Sequence, residues 1–118
     1  MGFAVVRAPA SGSRTRLDRP DIVAGRRGLH LALEVKSTIK ETLYIEHESI
    51  AQLVRFAERF GAEPLIAVKF KRRGKGWILL EPQNLTQTKK GYKVTFREAL
   101  KVGKRLEALV TKRLGEYL

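Results

Sequence analysis

Two short aliphatic runs, Pro20-Asp21-Ile22-Val23-Ala24-Gly25 and Leu31-Ala32-Leu33-Glu34-Val35-Lys36, are split by the turn-forming Gly25-Arg26-Arg27-Gly28. Their content and the glycine-bounded turn predict an antiparallel hairpin, on which the rest of a small sheet has to be built. Each run spends one position on an acid where an aliphatic residue would bury more apolar surface. If the strands pair, Asp21 near the start of the first and Glu34 near the end of the second come level, with cross-strand neighbours about 5 Å apart. Side chains alternate along a strand with period 2, so Lys36 projects to the same face as Glu34. The hairpin therefore predicts two acids and a lysine on one patch.

Phosphodiester hydrolysis is a chemistry that uses such a trio. Asp21 and Glu34 offer hard oxygen ligands for a divalent cation, Mg²⁺ with Mn²⁺ as a substitute, which lowers the pKa of a bound water and offsets charge in the transition state. Lys36 is placed to orient that water or to stabilise the same charge. The plain alternative is that Glu34 and Lys36 are ordinary charges on a solvated strand face. Pro20 at the head of the first run, and apolar residues on both sides of each acid, favour a site.

Charge narrows the partner. Twenty-four Lys and Arg against twelve Asp and Glu give a net charge of +12, which points to a polyanion. A ribosomal-type role, with the charge serving packing against RNA, remains the competing expectation. The absence of cysteine excludes disulfides and thiolate metal sites. No apolar run approaches the length of a membrane helix and the N-terminus lacks a signal-peptide core, so the expected compartment is the cytoplasm. Scarce Cys and Met with abundant Lys, Arg and Glu also fit a thermophile.

Along the chain, Phe3 to Arg7 reads as a first strand. Ala8 to Arg19 mixes Pro, Ser, Gly and Arg without apolar periodicity and reads as a surface loop. Its Arg14, Arg16 and Arg19 suit phosphate contacts, and Ser11 and Ser13 can donate hydrogen bonds to phosphate oxygens. Thr42 to Ile45 is a short extended piece. Glu48 to Phe60 is a helix with Ile50, Leu53, Val54 and Ala57 on one stripe and Gly61 at its C-terminal cap. Phe56 and Phe60 lie at the edge of that stripe, either widening the core face or forming a subunit contact. Pro64 to Phe70 is apolar enough for a central strand, and Trp77 to Leu80 returns beside it after Lys71-Arg72-Arg73-Gly74-Lys75-Gly76, a phosphate clamp or a solvated hairpin tip. Tyr92 to Phe96 is a further strand. Leu100, Gly103, Leu106, Val110 and Leu114 predict a C-terminal helix from Arg97 to Leu118. His30 and His47 stand at no metal-ligand spacing. The expected fold is one α/β domain, residues 1–118, with a mixed central β-sheet of about five strands flanked by helices.

The pattern Pro20-Asp21 followed by Glu34-Val35-Lys36 resembles the PD-(D/E)xK nuclease motif, and its context resembles the archaeal Holliday junction resolvases. Gly2-Phe3-Ala4-Val5-Val6-Arg7, Asp21-Ile22-Val23-Ala24-Gly25, Glu34-Val35-Lys36-Ser37-Thr38, Gln52-Leu53-Val54-Arg55-Phe56-Ala57-Glu58-Arg59-Phe60-Gly61-Ala62 and Leu65-Ile66-Ala67-Val68-Lys69-Phe70 before Trp77 follow that family in order. The likeness spans about residues 2 to 82. It implies a restriction-endonuclease-like core and a Mg²⁺-dependent homodimer that resolves four-way DNA junctions by paired symmetric nicks in recombination and repair. It also implies Ser11, with Ser13 next, as a catalytic serine, Arg7 as a functional arginine, and Phe56 and Phe60 as dimer-interface residues. In that family a helix with a further catalytic glutamate precedes the first strand. Here Met1 and Gly2 stand before it, and Glu41, Glu46 and Glu48 match a different part of the family. The competing expectation is thus a non-catalytic, basic junction-binding dimer.

Overall fold

The computed structural model describes residues 2–8 and 18–105. Strands β1 (Ala4–Arg7), β2 (Ile22–Arg26) and β3 (Leu29–Thr38) are followed by β4 (Thr42–Glu46), helix α1 (His47–Phe60), β5 (Glu63–Phe70) and β6 (Ile78–Leu80). A single 3-10 turn at Pro82–Asn84 leads to β7 (Thr86–Gln87), β8 (Gly91–Thr95), helix α2 (Phe96–Val102) and the two-residue β9 (Lys104–Arg105).

The main sheet has the order β1-β2-β3-β5-β6-β9. Only β3 and β5 run parallel within it, joined by the crossover that contains α1. The sheet is therefore mixed and α/β, as expected, and β3 and β5 at its centre are the longest strands. Alternation along β3 divides the core in two. Ala32, together with Ile66, Val68, Phe70, Ile78 and Leu80 from the neighbouring strands, packs under α1 and α2. Leu31 and Leu33 join Phe3, Ile22, Ala24, Leu65, Ala67 and Leu79 on the opposite face. By the same alternation Glu34 and Lys36 lie on the α1 side.

Helix α1 buries Ile50, Leu53 and Ala57, the stripe its sequence predicts. It ends where Gly61 adopts φ +80° and donates its N–H to the Ala57 carbonyl at 2.9 Å, a left-handed cap that glycine takes without steric cost. Trp77 packs at the edge of the second core half, with the Lys69 ammonium 5.8 Å from its ring centroid.

Three expectations need correction. The β2–β3 turn contains only Arg27 and Gly28, because Gly25 and Arg26 pair with His30 and Leu29 inside the ladder. Strands β4, β8 and β7 form a second, three-stranded sheet, where Gly91 is required because a Cβ there would run into the Ile45 carbonyl. The helix after β8 is seven residues long rather than extending to Leu118. It starts at a capping box between Thr95 and Glu98 and stops at Gly103, where a Cβ would strike Ile78 and the Ala99 carbonyl. Leu100 is exposed, not core, while Leu106, Val110 and Leu114 lie outside the described residues.

Candidate active site

Asp21 occupies the position just ahead of β2. Its N–H donates to the Leu33 carbonyl at 3.0 Å and its own carbonyl accepts from Ala8 N–H at 2.8 Å, so its backbone is tied to β3 on one side and to the end of β1 on the other. Its Oδ2 accepts a hydrogen bond from Val35 N–H at 2.8 Å. The side chain thus continues the β2–β3 ladder one step past its last backbone pair. That last pair is Ile22 with Leu33, and the next step in the same register sets Asp21 beside Glu34.

The two carboxyls interact directly. The Glu34 side chain is only 12% exposed, and its pKa is raised from 4.5 to about 7, first by burial and then by the negative charge of Asp21. Lys36 opposes the shift, its Nζ lying 3.5 Å from Glu34 Oε2. One ammonium on the solvent side does not offset two carboxylates crowded at the end of a hairpin. The donor set fits a hard divalent cation, which would relieve that repulsion. On an extended strand a residue's N–H and C=O point to the same side, so the Val35 carbonyl faces the Asp21 side and offers a third oxygen. Among the described residues no group of three or more acidic or histidine side chains gathers at a metal-binding spacing. A cation held here would complete its shell with water and substrate phosphate oxygens, the mode Mg²⁺ favours.

The remaining candidates distribute unevenly. Arg7 pairs in register with Ile22, and directly paired residues share a face. Arg7 therefore emerges on the opposite side of the sheet from Glu34 and Lys36. Arg19 is half-buried beside Pro20. Ser11, Ser13, Arg14 and Arg16 lie outside the described residues. Phe56 and Phe60 stack at 5.3 Å between centroids. Phe56 leans on the core, and Phe60 is 51% exposed with the His30 ring edge-on at 6.2 Å.

One contact was not legible in the sequence. Arg55 on α1 binds Asp18 with two parallel hydrogen bonds, Nε to Oδ2 and Nη2 to Oδ1, both 2.9 Å, and Nη2 also reaches Glu48 Oε1 at 2.9 Å. This fork-on-carboxylate geometry moors the residues leading into Asp21 to the polar side of α1. Glu48 and Arg55 are two helical turns apart and could be paired from spacing, whereas nothing local links either to Asp18.

Comparison with known proteins points to one family. The family model described as archaeal Holliday junction resolvase (hjc) matches residues 1–114. The crossover junction endodeoxyribonuclease Hjc of Archaeoglobus fulgidus is 41% identical over 93 residues, which cover 79% of this chain and 66% of that protein. The Hjc of Sulfurisphaera tokodaii is 37% identical over 110 residues, covering 92% of this chain and 74% of its own length. This chain thus spans about two thirds of the first of these relatives and three quarters of the second. The solved structure of Archaeoglobus fulgidus Hjc, a Holliday junction resolvase, superposes with a TM-score of 0.78 at 34% identity, covering 92% of this chain and 88% of that one. With its hairpin carboxylates, its mixed sheet and a match along almost its whole length, the chain belongs to the archaeal Holliday junction resolvase family.

Proposed function

We infer that this chain is a divalent-metal-dependent endodeoxyribonuclease that cuts four-way DNA junctions as a homodimer, making paired symmetric nicks. The observation that carries the reading is the Asp21–Glu34 pair, with Lys36 beside it. A protein that only binds DNA gains nothing from two carboxylates on a surface meant for phosphates, since like charges repel. A nuclease needs them. Asp21 and Glu34 would hold the cation, with Mg²⁺ the preferred ion. When bound, it supplies charge neutralisation at the scissile phosphate and a more acidic water. The Val35 N–H fixes the Asp21 carboxylate on one oxygen. Lys36, on the solvent side of Glu34, is placed to meet a phosphate oxygen and to stabilise charge that grows there in the transition state.

The test is cleavage of a labelled synthetic four-way junction beside linear duplex of the same sequence, in Mg²⁺ and in EDTA. Symmetric nicks confined to the junction and dependent on metal are expected. Tight junction binding without cutting in Mg²⁺ or Mn²⁺ would leave a binding protein and remove the enzyme.

Two nicks across a symmetric junction call for two sites, which the dimer would supply. Its proposed contact is the outer edge of α1, where Phe60 is exposed beside Phe56 and His30. A half-exposed phenylalanine contributes little to the fold of one chain, while burying it in a partner is worth about 1–2 kcal/mol per chain. Phe60→Ala is expected to leave the melting temperature of the monomer nearly unchanged and to halve the mass seen by light scattering at micromolar concentration. Single, unpaired nicks should follow. A variant that still sedimented as a dimer would place the interface elsewhere.

A further inference from the structure

The hairpin between β5 and β6 carries Lys71, Arg72, Arg73 and Lys75 around Gly74 and Gly76, all exposed. Its place in the fold is fixed. Lys71 N–H donates to the carbonyl of Thr38 at 2.8 Å, so the hairpin rises from the same end of the sheet to which β3 carries Glu34 and Lys36. Arg73 ties it down, with Nη2 3.1 Å from Glu41 Oε2 and its guanidinium 5.3 Å from the centre of the Phe96 ring at the start of α2. Arg72 has φ +66°, a left-handed conformation that costs an L residue with a long side chain about 1 kcal/mol or more. Asparagine or glycine would fit there without that cost. Lys71, Arg72 and Lys75 make no ion pair with any described residue.

We propose that Lys71, Arg72 and Lys75 form a phosphate-contacting arm that grips duplex DNA on one side of the cut, with Arg73 as the residue that aims it. The proposal rests on the nuclease reading for its substrate and adds to it the strand segment that is held. From Glu34 to Thr38 is four residues, about 13 Å along β3. Successive phosphates of one DNA strand are spaced about 3.4 Å along the helix axis, so the arm meets the backbone roughly four or more nucleotides from the scissile phosphate. Three cations anchored through a fourth form a patch of fixed shape. Arg72 keeps this left-handed backbone with its side chain exposed to solvent.

Other exposed cations supply a charge-matched control. Arg26 and Arg27 lie at the opposite end of β3, and Lys104, in register with Leu79, sits on the face of the sheet away from Glu34. Arg26 pairs with Leu29, and Lys104 borders the same groove as Leu29 and Leu31. The experiment measures junction affinity of the full chain across a salt series in EDTA, where nothing is cut, for wild type, for Lys71→Ala/Arg72→Ala/Lys75→Ala, and for Arg26→Ala/Arg27→Ala/Lys104→Ala. The arm variant is expected to bind roughly ten- to a hundredfold more weakly, with a log–log salt slope shallower by about 2 to 3 per chain engaged. Its cleavage rate at saturating protein in Mg²⁺ should stay within about twofold of wild type, because the lost contacts position the duplex and do not touch the reacting group. The control should lose far less. Arg72→Gly, which suits the left-handed backbone, should reduce the slope by about 0.9 while keeping or raising the melting temperature, so the proposal remains testable if the triple variant folds poorly. Equal losses in both triple variants, or no change of slope in the arm variants, would overturn the arm. Failure of the nuclease reading shows separately, as wild type that never cuts while the salt slopes remain measurable.

Discussion

Asp21→Asn is expected to reduce metal-dependent junction cleavage on the order of a thousandfold or more while leaving the fold intact. The substitution is nearly isosteric. Asparagine keeps an oxygen to accept the Val35 N–H that Asp21 Oδ2 now accepts at 2.8 Å, so the end of the β2–β3 ladder survives. Two things are lost: one negative ligand for the cation, and the charge that adds to burial in raising the Glu34 pKa. The variant should therefore be catalytically dead and, without metal at pH 8, as stable as wild type or more so. Junction affinity in EDTA should rise slightly, because a carboxylate facing phosphate has gone. Single-turnover cleavage in Mg²⁺, thermal melts in EDTA and a binding titration measure the three. Cleavage within tenfold of wild type would show that Asp21 does not hold the metal. A large fall in melting temperature would instead make it mainly a structural link between β1, β2 and β3.

The close approach of these two acids was legible because an antiparallel ladder allows very little freedom. Once the turn lies between residues 26 and 29, every pair sums to the same number, and Asp21 must face Glu34. An error at the turn would have mattered only if it changed that sum. Gly25 looked like a turn residue, yet it lies in β2, where a Cβ would approach His30 Cδ2 to 2.9 Å. The missing side chain makes room for a cross-strand ring. The turn begins two residues later than Gly25 suggests while its far end stays at Gly28, and the Ile22–Leu33 pairing is what sets Asp21 level with Glu34.

Helix α1 was legible for a similar reason: its apolar stripe and terminal glycine are local signals. The second sheet was not. Thr42 to Ile45 shows extended character, but its partner is β8, pairing Leu43 with Val94, and no local pattern specifies a partner 51 residues away. The C-terminal helix reads too long in the sequence because Leu100, Gly103, Leu106, Val110 and Leu114 follow one another at three- and four-residue steps. Tertiary crowding ends α2, as Gly103 passes beneath Ile78 and Leu80. The Asp18–Arg55 link failed to register for the opposite reason, since both residues read as ordinary surface charges until the fold sets them together.

Metal-free protein is expected to lose stability as pH rises from about 4.5 to about 7, and a divalent cation should reverse the loss. Glu34 has its folded-state pKa raised from 4.5 to about 7 by burial and by Asp21. Below 4.5 the group is protonated whether the chain is folded or not, and it costs nothing. Between the two values the unfolded chain releases the proton and the folded chain keeps it, so each rise in pH favours unfolding. Above 7 the folded protein carries the buried charge, which Lys36 offsets only in part, and the accumulated penalty is roughly 3 kcal/mol. Asp18, held below the ordinary carboxylate range by its hydrogen bonds from Arg55, and Glu98, held there by the Thr95 backbone N–H, act in the opposite sense but at lower pH. Urea unfolding in EDTA from pH 4.5 to 8 should thus show a falling midpoint. Glu34→Gln should flatten the fall, because an amide has no proton to release. Saturating Mg²⁺ should lift the wild-type midpoint at pH 8, by about 2.7 kcal/mol at a hundred times the dissociation constant, and leave Glu34→Gln much less affected. Below pH 7 the cation must displace the Glu34 proton, so its apparent affinity should drop by about tenfold per pH unit. If Glu34→Gln kept the full pH slope, the slope would belong to other groups. The crowded carboxylates would then not be what makes this site receptive to a cation.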